Sequence, residues 1–134
     1  MNQNIGDIQE RSKQFALRII QLYGQLPRNH RVAEVIGDQL LRSGTSIGAQ
    51  LCEAQAASSR KEFAYKVELA EREGRETQYW LWLLMGAQIF PEAKLTSLYD
   101  ESSQIVAIVT TIGKNVRSRR TTAKTLLSLL LGLF

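Results

Sequence analysis

The sequence has few of the residues that end helices or cross-link a chain. Its 134 residues include two prolines, Pro27 and Pro91, and one cysteine, Cys52. A single cysteine can form neither an internal disulfide nor a cysteine cluster for a metal, which is typical of proteins of the reducing cytoplasm. Because proline occurs at only two positions, the segments around them can form long helices.

Targeting signals are also lacking. The first ten residues, MNQNIGDIQE, do not contain the basic and apolar regions of a secretory signal peptide. No apolar run reaches the roughly 20 residues that a helix needs to cross a bilayer. We therefore expect a cytoplasmic protein, and a length of 134 residues predicts one domain with a sizeable core.

Acidic residues are absent from the last quarter of the chain. Residues 1–101 contain 12 Lys+Arg and 13 Asp+Glu, whereas residues 102–134 contain five cations and no acid. These cations are Lys114, Arg117, Arg119, Arg120 and Lys124. A basic segment on a near-neutral body favours an anionic partner, and a solvated, partly disordered tail is the alternative that composition leaves open.

Apolar and small residues recur at steps of three and four along most of the chain, which is the spacing of one helix face. The pattern predicts helices at about 5–26, 30–57, 60–89 and 92–119, with Asn29 as the N-cap of the second. The predicted core faces are Ile8, Ser12, Phe15, Ile19, Leu22 and Leu26; Val32, Ile36, Leu40, Ser43, Ile47, Leu51 and Ala54; Phe63, Val67, Ala70, Gly74, Thr77, Leu81, Leu84 and Gln88; and Leu95, Leu98, Ser102, Ile105, Val109, Ile112 and Val116. Long helices with short connections predict an all-α fold, an antiparallel up-down-up-down four-helix bundle over residues 1–120. An apolar C-terminal extension, residues 121–134, follows it.

Small residues are concentrated in the second predicted helix. Gly37, Gly44 and Gly48 each cost a helix up to about 1 kcal/mol relative to alanine. We interpret them as positions where another helix approaches closely. The alternative for the segment RSGTSIG, a phosphate-binding P-loop, lacks the Lys-Ser/Thr ending and the preceding strand.

A short polar joint, Ser58-Ser59, separates the second helix from the third. Ser59 is followed three residues later by Glu62, which is the spacing of a capping box. The third helix carries oppositely charged residues four positions apart at Glu68–Arg72, Glu71–Arg75 and Arg72–Glu76. Trp80 and Trp82 each lie about 100° from Leu81 on the helical wheel, on opposite sides of it. One thin bundle does not easily cover both flanks, so we predict that a tryptophan of this pair lies in an oligomer interface.

No catalytic or metal-binding constellation emerges from the spacing. The only histidine, His30, has no acid three residues before it, so the Glu-x-x-His pattern of di-metal bundles is missing. Cys52 has no general base besides the remote His30, and we interpret it as a small packed residue. Three acids could cluster beside three cations, and we predict that they form a structural ion-pair network: Arg42, Glu53, Lys66, Arg72, Glu73 and Glu76. We expect no enzymatic activity, no cofactor and no metal.

Residues 42–84 resemble the four-helix-bundle family of 23S rRNA intervening-sequence proteins. Arg42, Ser46-Ile47 and Glu53 match the family pattern on the second helix. The segment SRKEF at 59–63, Lys66, and the segment ETQYWL at 76–81 match it on the third. The sequence departs from the pattern at Gln50, where asparagine is expected, at Cys52, where a small residue such as alanine is usual, and in its apolar C-terminus.

The resemblance implies a closed homo-oligomer, a pentamer, without enzymatic activity. It also implies kinship in fold with the accessory protein of diversity-generating retroelements, which binds nucleic acid and a reverse transcriptase.

The leading functional hypothesis is a non-enzymatic, oligomeric bundle that binds structured nucleic acid, with RNA favoured over DNA. The expected phosphate contacts are Lys114, Arg117, Arg119, Arg120 and Lys124, with Arg60 and Lys61 second. The alternative is a protein-interaction scaffold without a nucleic-acid role. For the apolar segment 126–134 we favour packing on its own bundle or on a neighbouring copy over insertion at a membrane surface.

Overall fold

The computed structural model describes residues 2–132, with side chains from Ile5 onward. Within that range the chain forms four helices and no strand: α1 Asn2–Gln25, α2 Arg31–Gln55, α3 Arg60–Gly86 and α4 Glu92–Leu130. Connections of five, four and five residues join them, so each helix runs back along the one before it. Because α1 and α3 each pack against both α2 and α4, the helices form an antiparallel up-down-up-down bundle. The predicted fold class is confirmed.

A single hydrophobic core runs along the bundle axis. Its largest fully buried side chains include Phe15 and Ile19 of α1, Ile47 of α2, Leu81 of α3 and Ile105 of α4. Every predicted core-face residue of α1 is buried, and so is the predicted face of α4 except for the half-buried Ile112. The three-and-four periodicity therefore identified the inner face of these two helices correctly.

The first two turns of α2 correct the predicted core face. The structure buries Ala33 and Gly37 there and leaves Val32 50% exposed and Ile36 half-buried. A Cβ atom built on Gly37 would lie 2.8 Å from Cδ1 of Leu26 in the preceding connection. The chain approaches so closely at this point that only small residues fit inside, and the larger β-branched residue is displaced outward.

Close approach also explains two further glycines. A Cβ on Gly44 would lie 3.0 Å from Cγ1 of Ile19, and one on Gly74 of α3 would lie 2.6 Å from Cγ2 of Val106. Gly48 does not follow the prediction, because a Cβ there would make only ordinary contacts, the nearest being Ser12 Cβ at 3.7 Å.

The start of α2 and the end of α3 differ from the sequence prediction. The N-cap of α2 is His30 rather than Asn29, and its Nδ1 accepts a hydrogen bond of 3.3 Å from the backbone N–H of Ala33. α3 ends at Gly86, and Gln88, which was predicted to belong to the core face, is exposed in a turn with a left-handed φ of 56°. Its side chain cannot reach the core because the backbone has already left the helix.

α4 is longer than predicted. It continues to Leu130 instead of ending at residue 119, because no proline or glycine interrupts residues 114–131. Its last buried residue is Val116, so the final turns extend beyond the bundle. The leucines of the predicted extension do not pack on their own bundle, and Leu133 and Phe134 lie outside the described residues. None of the helices, as far as they are described, is long and apolar enough to cross a membrane.

Candidate nucleic-acid interface

The contact between α2 and α3, called here the hairpin seam, holds a cluster of charges. Arg42 of α2 reaches two carboxylates of α3: its Nη1 is 3.2 Å from Glu73 Oε2, and its Nη2 contacts Glu76 Oε1. Trp80 donates a hydrogen bond of 3.1 Å from Nε1 to the same Glu76 oxygen. The hydrogen bond from Arg42 holds the pKa of Glu76 below its usual value, and burial of the carboxyl opposes this only in part.

A second ion pair lies nearer the Ser58-Ser59 joint. Lys66 Nζ of α3 is 2.6 Å from Glu53 Oε2 of α2, and the hydrogen bond to Glu53 raises the pKa of Lys66. Beside Arg42 and Glu76, the buried hydroxyl of Thr77 donates a hydrogen bond of 3.0 Å to that of Ser43. These charged and hydroxyl groups of the seam thus have partners within the chain.

The structure brings together five of the six residues predicted as an ion-pair network, in two separate groups. Arg72 does not join them, and among the described residues it has no ion-pair partner. Of the three charge pairs predicted along α3, Glu71–Arg75 forms at 3.0 Å. The pairs Glu68–Arg72 and Arg72–Glu76 do not form, since Glu76 turns across the seam to Arg42.

The single cysteine lies outside the core, and residues 2–132 contain no metal-binding cluster. No group of three His, Cys, Asp or Glu side chains in the described part of the chain could hold a metal ion. Cys52 is exposed rather than packed, because it lies beside the core residue Leu51 and about 100° away from the inner face. Its Sγ accepts a hydrogen bond of 3.0 Å from Gln9 Nε2.

The predicted nucleic-acid-binding residues gather at one end of the bundle, where α3 begins and α4 leaves it. All seven are exposed: Lys114, Arg117, Arg119, Arg120, Lys124, Arg60 and Lys61. A cavity of about 480 Å³ at this end is lined by Arg60 of α3 and Arg119 of α4, together with Phe63 and Val116. The fold therefore places two arginines that are distant in sequence around one cavity.

The cations in the C-terminal half of α4 point in different directions around the helix. Arg117, Arg120 and Lys124, called here the cationic row, lie within about 60° of one another on the helical wheel and span about 10 Å of the helix. Lys114 lies to one side of the row. Arg119 points about 160° away from Arg117, toward the cavity that it shares with Arg60.

The acidic residue Glu62 at the start of α3 is engaged in local hydrogen bonds. Glu62 accepts hydrogen bonds from the backbone N–H of Ser58 at 3.0 Å and from its hydroxyl at 2.9 Å, and these bonds lower the pKa of Glu62. Ser59 Oγ accepts from the backbone N–H of Glu62 at 3.0 Å, which is the predicted cap. Because these side chains already occupy the start of α3, an anion at this end would have to bind the arginine side chains.

One member of the cationic row lies near an acid. Burial raises the pKa of the Glu71 carboxyl. The hydrogen bond from Arg75 and the positive charges of Arg75 and Arg117 have the opposite and larger effect, so the pKa lies below its usual value. Across residues 2–132, Arg120 and Lys124 form no ion pair at all. The outer two positions of the row are therefore the most available to an anionic ligand.

The two predicted interface tryptophans have different environments. Trp80 packs against the core, whereas Trp82 is 61% exposed. Tyr79, which the sequence analysis did not single out, is 50% exposed, and its ring centroid lies 5.2 Å from that of Trp80 and 6.4 Å from that of Trp82. Three aromatic residues within the four positions 79–82 were the signal in the sequence that could have predicted this surface.

Fold and site together define the class of this protein. It is an antiparallel four-helix bundle with an ion-paired central hairpin and an exposed basic end. The family model described as 23S rRNA-intervening sequence protein matches residues 6–111, and the chain belongs to this family. The chain is also similar to a solved structure from Bacteroides thetaiotaomicron, a protein of unknown function from the S23 ribosomal protein family. The two are 37% identical with a TM-score of 0.77, over 83% of this chain and 98% of the other. Among curated proteins, none matches the chain.

The family match divides the candidate site. Arg60, Lys61 and the whole hairpin seam lie inside residues 6–111, whereas the five predicted binding cations of α4, from Lys114 to Lys124, lie beyond residue 111. Neither the family name nor the description of the structural neighbour names an enzymatic activity.

Proposed function

We propose that this chain is a non-enzymatic, oligomeric helical-bundle protein that binds structured nucleic acid through phosphate contacts. The observation that carries the proposal is the convergence of seven exposed cations at one end of the bundle, with Arg60 and Arg119 around one cavity. Contacts of this kind recognise the backbone of a nucleic acid rather than its sequence.

RNA is the favoured ligand. The family name refers to sequences that intervene in 23S rRNA, which associates the family with RNA genes. The cavity between α3 and α4 combines arginines with the apolar side chains of Phe63 and Val116, so it can accept a phosphate and an unstacked base together.

Self-association would strengthen binding at such a site. A closed homo-oligomer, a pentamer in our proposal, would present several copies of one weak basic surface, and binding would gain from avidity. Trp82 and Tyr79 support an oligomer interface because exposed aromatic side chains are enriched at the centres of such interfaces. The molar mass in solution should therefore exceed that of one chain, and the double variant Y79A/W82A should lower it.

The direct test is the salt dependence of RNA binding, measured by fluorescence anisotropy of a labelled RNA hairpin. Between 50 and 200 mM NaCl, the affinity of the wild type should fall by about tenfold or more. In the triple variant R117A/R120A/K124A, the slope of log affinity against log salt should become shallower by about 2 to 3, one phosphate contact for each lost cation.

A matched control removes the same charge from the opposite end. Arg28, Arg31 and Lys94 are exposed cations where α1 meets α2 and α4 begins. The triple variant R28A/R31A/K94A should keep the wild-type salt slope. If both triple variants reduce the salt slope equally, the effect comes from net charge and the proposed binding site is wrong. If the protein binds neither RNA nor DNA at 50 mM NaCl, the proposed function is wrong.

The second candidate function is a protein-interaction scaffold without a nucleic-acid role. The exposed apolar side chains of α1 and α2, which include Leu17, Ile20 and Val35, favour it. A scaffold would bind its protein partner with little salt dependence and would retain no nucleic acid during purification, so the ratio of absorbance at 260 and 280 nm separates the two.

A further inference from the structure

The C-terminal part of α4, residues 117–131, called here the arm, starts beside the cavity that Arg119 lines and then projects beyond the bundle. Val116 is its last buried neighbour, and the helix continues to Leu130, about 21 Å further. Every arm residue is exposed except the half-buried Ser128. No described helix buries the leucines at the end of the arm, although helices in proteins usually owe most of their stability to the packing of an apolar face.

The arm has an apolar face that is too large to be incidental. Five leucines are between 55% and 84% exposed: Leu126, Leu127, Leu129, Leu130 and Leu131. They occupy an arc of about 200° on the helical wheel. Single exposed apolar residues are common on protein surfaces, whereas a contiguous group of this kind marks a contact surface.

The polar groups of the arm are arranged so that it can enter an apolar boundary. The hydroxyls of Thr121, Thr122 and Thr125 donate hydrogen bonds of 3.0 to 3.1 Å to backbone carbonyls one turn earlier. Burying them therefore leaves no hydroxyl donor unsatisfied. Arg120 and Lys124 fall within about 20° of Leu131 on the wheel, at the margin of the arc, where long cationic side chains can extend toward charged groups.

Charge decides which surface fits the arm. No acidic residue occurs after Glu101, and the arm carries four cations. Packing of arms from two copies would bring Arg120 and Lys124 of each together without a carboxylate from this segment to neutralise them. An anionic lipid surface supplies both the negative charge and the apolar boundary, and the arm is too short to cross it.

We propose that the arm lies along an anionic phospholipid surface. Its leucines enter the boundary between headgroups and acyl chains, and Arg120 and Lys124 contact lipid phosphates. The arm lies outside the segment that matches the family model, so this property belongs to the arm rather than to the bundle that the model covers. Because lipid and RNA would use the same cations, bound RNA should compete with vesicles.

The test is co-sedimentation of the full chain with vesicles of phosphatidylcholine containing 30% phosphatidylglycerol, compared with phosphatidylcholine alone. We expect binding to the anionic vesicles, at least about tenfold weaker binding to the neutral ones, and a similar loss in the variant L127Q/L130Q. The matched control I20Q/V32Q makes the same kind of change at exposed positions of α1 and α2 and should bind as the wild type does.

Three results would overturn the proposal. They are equal binding of L127Q/L130Q and wild type to anionic vesicles, equal binding of the wild type to both vesicle types, and absence of binding to either. If binding is absent and L127Q/L130Q lowers the molar mass in solution, the arm docks on a second copy instead. Circular dichroism and the RNA-binding measurement on L127Q/L130Q verify that the bundle and the cationic row are intact.

Discussion

The hairpin seam and the arm contain similar residue types in opposite circumstances. In the seam, Arg42 and Lys66 each have carboxylate partners on the facing helix, and Leu81 is fully buried. In the arm, Arg120 and Lys124 have no described ion-pair partner, and Leu130 is 84% exposed. The seam satisfies its charges and apolar surface within the chain, whereas the arm leaves both to something outside it. The difference separates the part that makes the fold from the part that is available for binding.

The largest expected contrast comes from the same leucine truncation in both regions. Leu81→Ala should lower the free energy of unfolding by about 2–5 kcal/mol, because it opens a cavity in a closely packed core. Leu127→Ala, at a 57% exposed position, should change it by less than about 0.5 kcal/mol. Urea denaturation followed by circular dichroism measures both. A comparable loss in Leu127→Ala would show that the arm is packed in solution.

Two glycine substitutions should change the stability of the bundle in opposite directions, and together they test where helices pack closely. Gly74→Ala should destabilise the bundle by about 1–3 kcal/mol, because its Cβ would lie 2.6 Å from Val106. Gly48→Ala should stabilise it by up to about 1 kcal/mol, since alanine favours the helix and its Cβ meets only ordinary contacts. Thermal unfolding of the two variants side by side gives the comparison. Stabilisation by Gly74→Ala would contradict the proposed close approach of α3 and α4.

The charge cluster of the seam should contribute a smaller, pH-dependent term. Arg42→Ala should lower stability at pH 7 by about 1 kcal/mol, because Arg42 is half-exposed and solvent screens its ion pairs. The pKa of Glu76 is lowered in the folded protein, so its contribution is present above the usual glutamate pKa of about 4.3 and is lost as the pH falls below it.

The difference between wild type and Arg42→Ala should therefore shrink between pH 5 and pH 3. Urea titrations at the two pH values test this. A difference that is constant over that range would mean that the pairs with Glu73 and Glu76 do not stabilise the fold.

The smallest effect on stability is expected in the arm. The double variant R120A/K124A should change the free energy of unfolding by less than about 0.5 kcal/mol, because neither cation has a described ion-pair partner. Its RNA-binding salt slope should nevertheless become shallower by about 1 to 2. A large loss of stability in this variant would show that these cations take part in the folded bundle.

Much of the fold follows from spacing alone. The core faces of α1 and α4, the Ser59 cap and the bundle topology all agree with the sequence prediction, because periodic burial leaves a regular trace in a chain. The prediction went wrong at Val32 and Gln88. Val32 was predicted to point inward because it is hydrophobic. Leu26 approaches α2 so closely at Gly37 that the inner face there holds small residues instead.

The sequence predicts which kinds of residue make up the candidate site, but it does not predict how they are arranged. The excess of cations after Glu101 is visible in the sequence, and so are the acids Glu73 and Glu76 of the third helix. The sequence does not show that Arg119 shares a cavity with Arg60, nor that Glu76 pairs with Arg42 instead of Arg72. Neighbours on one helix are set by local geometry, but partners on different helices depend on how the helices dock.

The sequence by itself determined the four helices, most of their inner faces, the family and the basic character of the C-terminal segment, because each depends on residue types at short spacing. Only the tertiary structure decided that Trp82 and Tyr79 are exposed while Trp80 packs inward. It also decided that α4 continues past its last buried residue, Val116, to Leu130, and that its described leucines beyond Val116 are exposed. Periodicity specifies which residues require burial, whereas the lengths and contacts of the neighbouring helices decide which of them are buried within the chain.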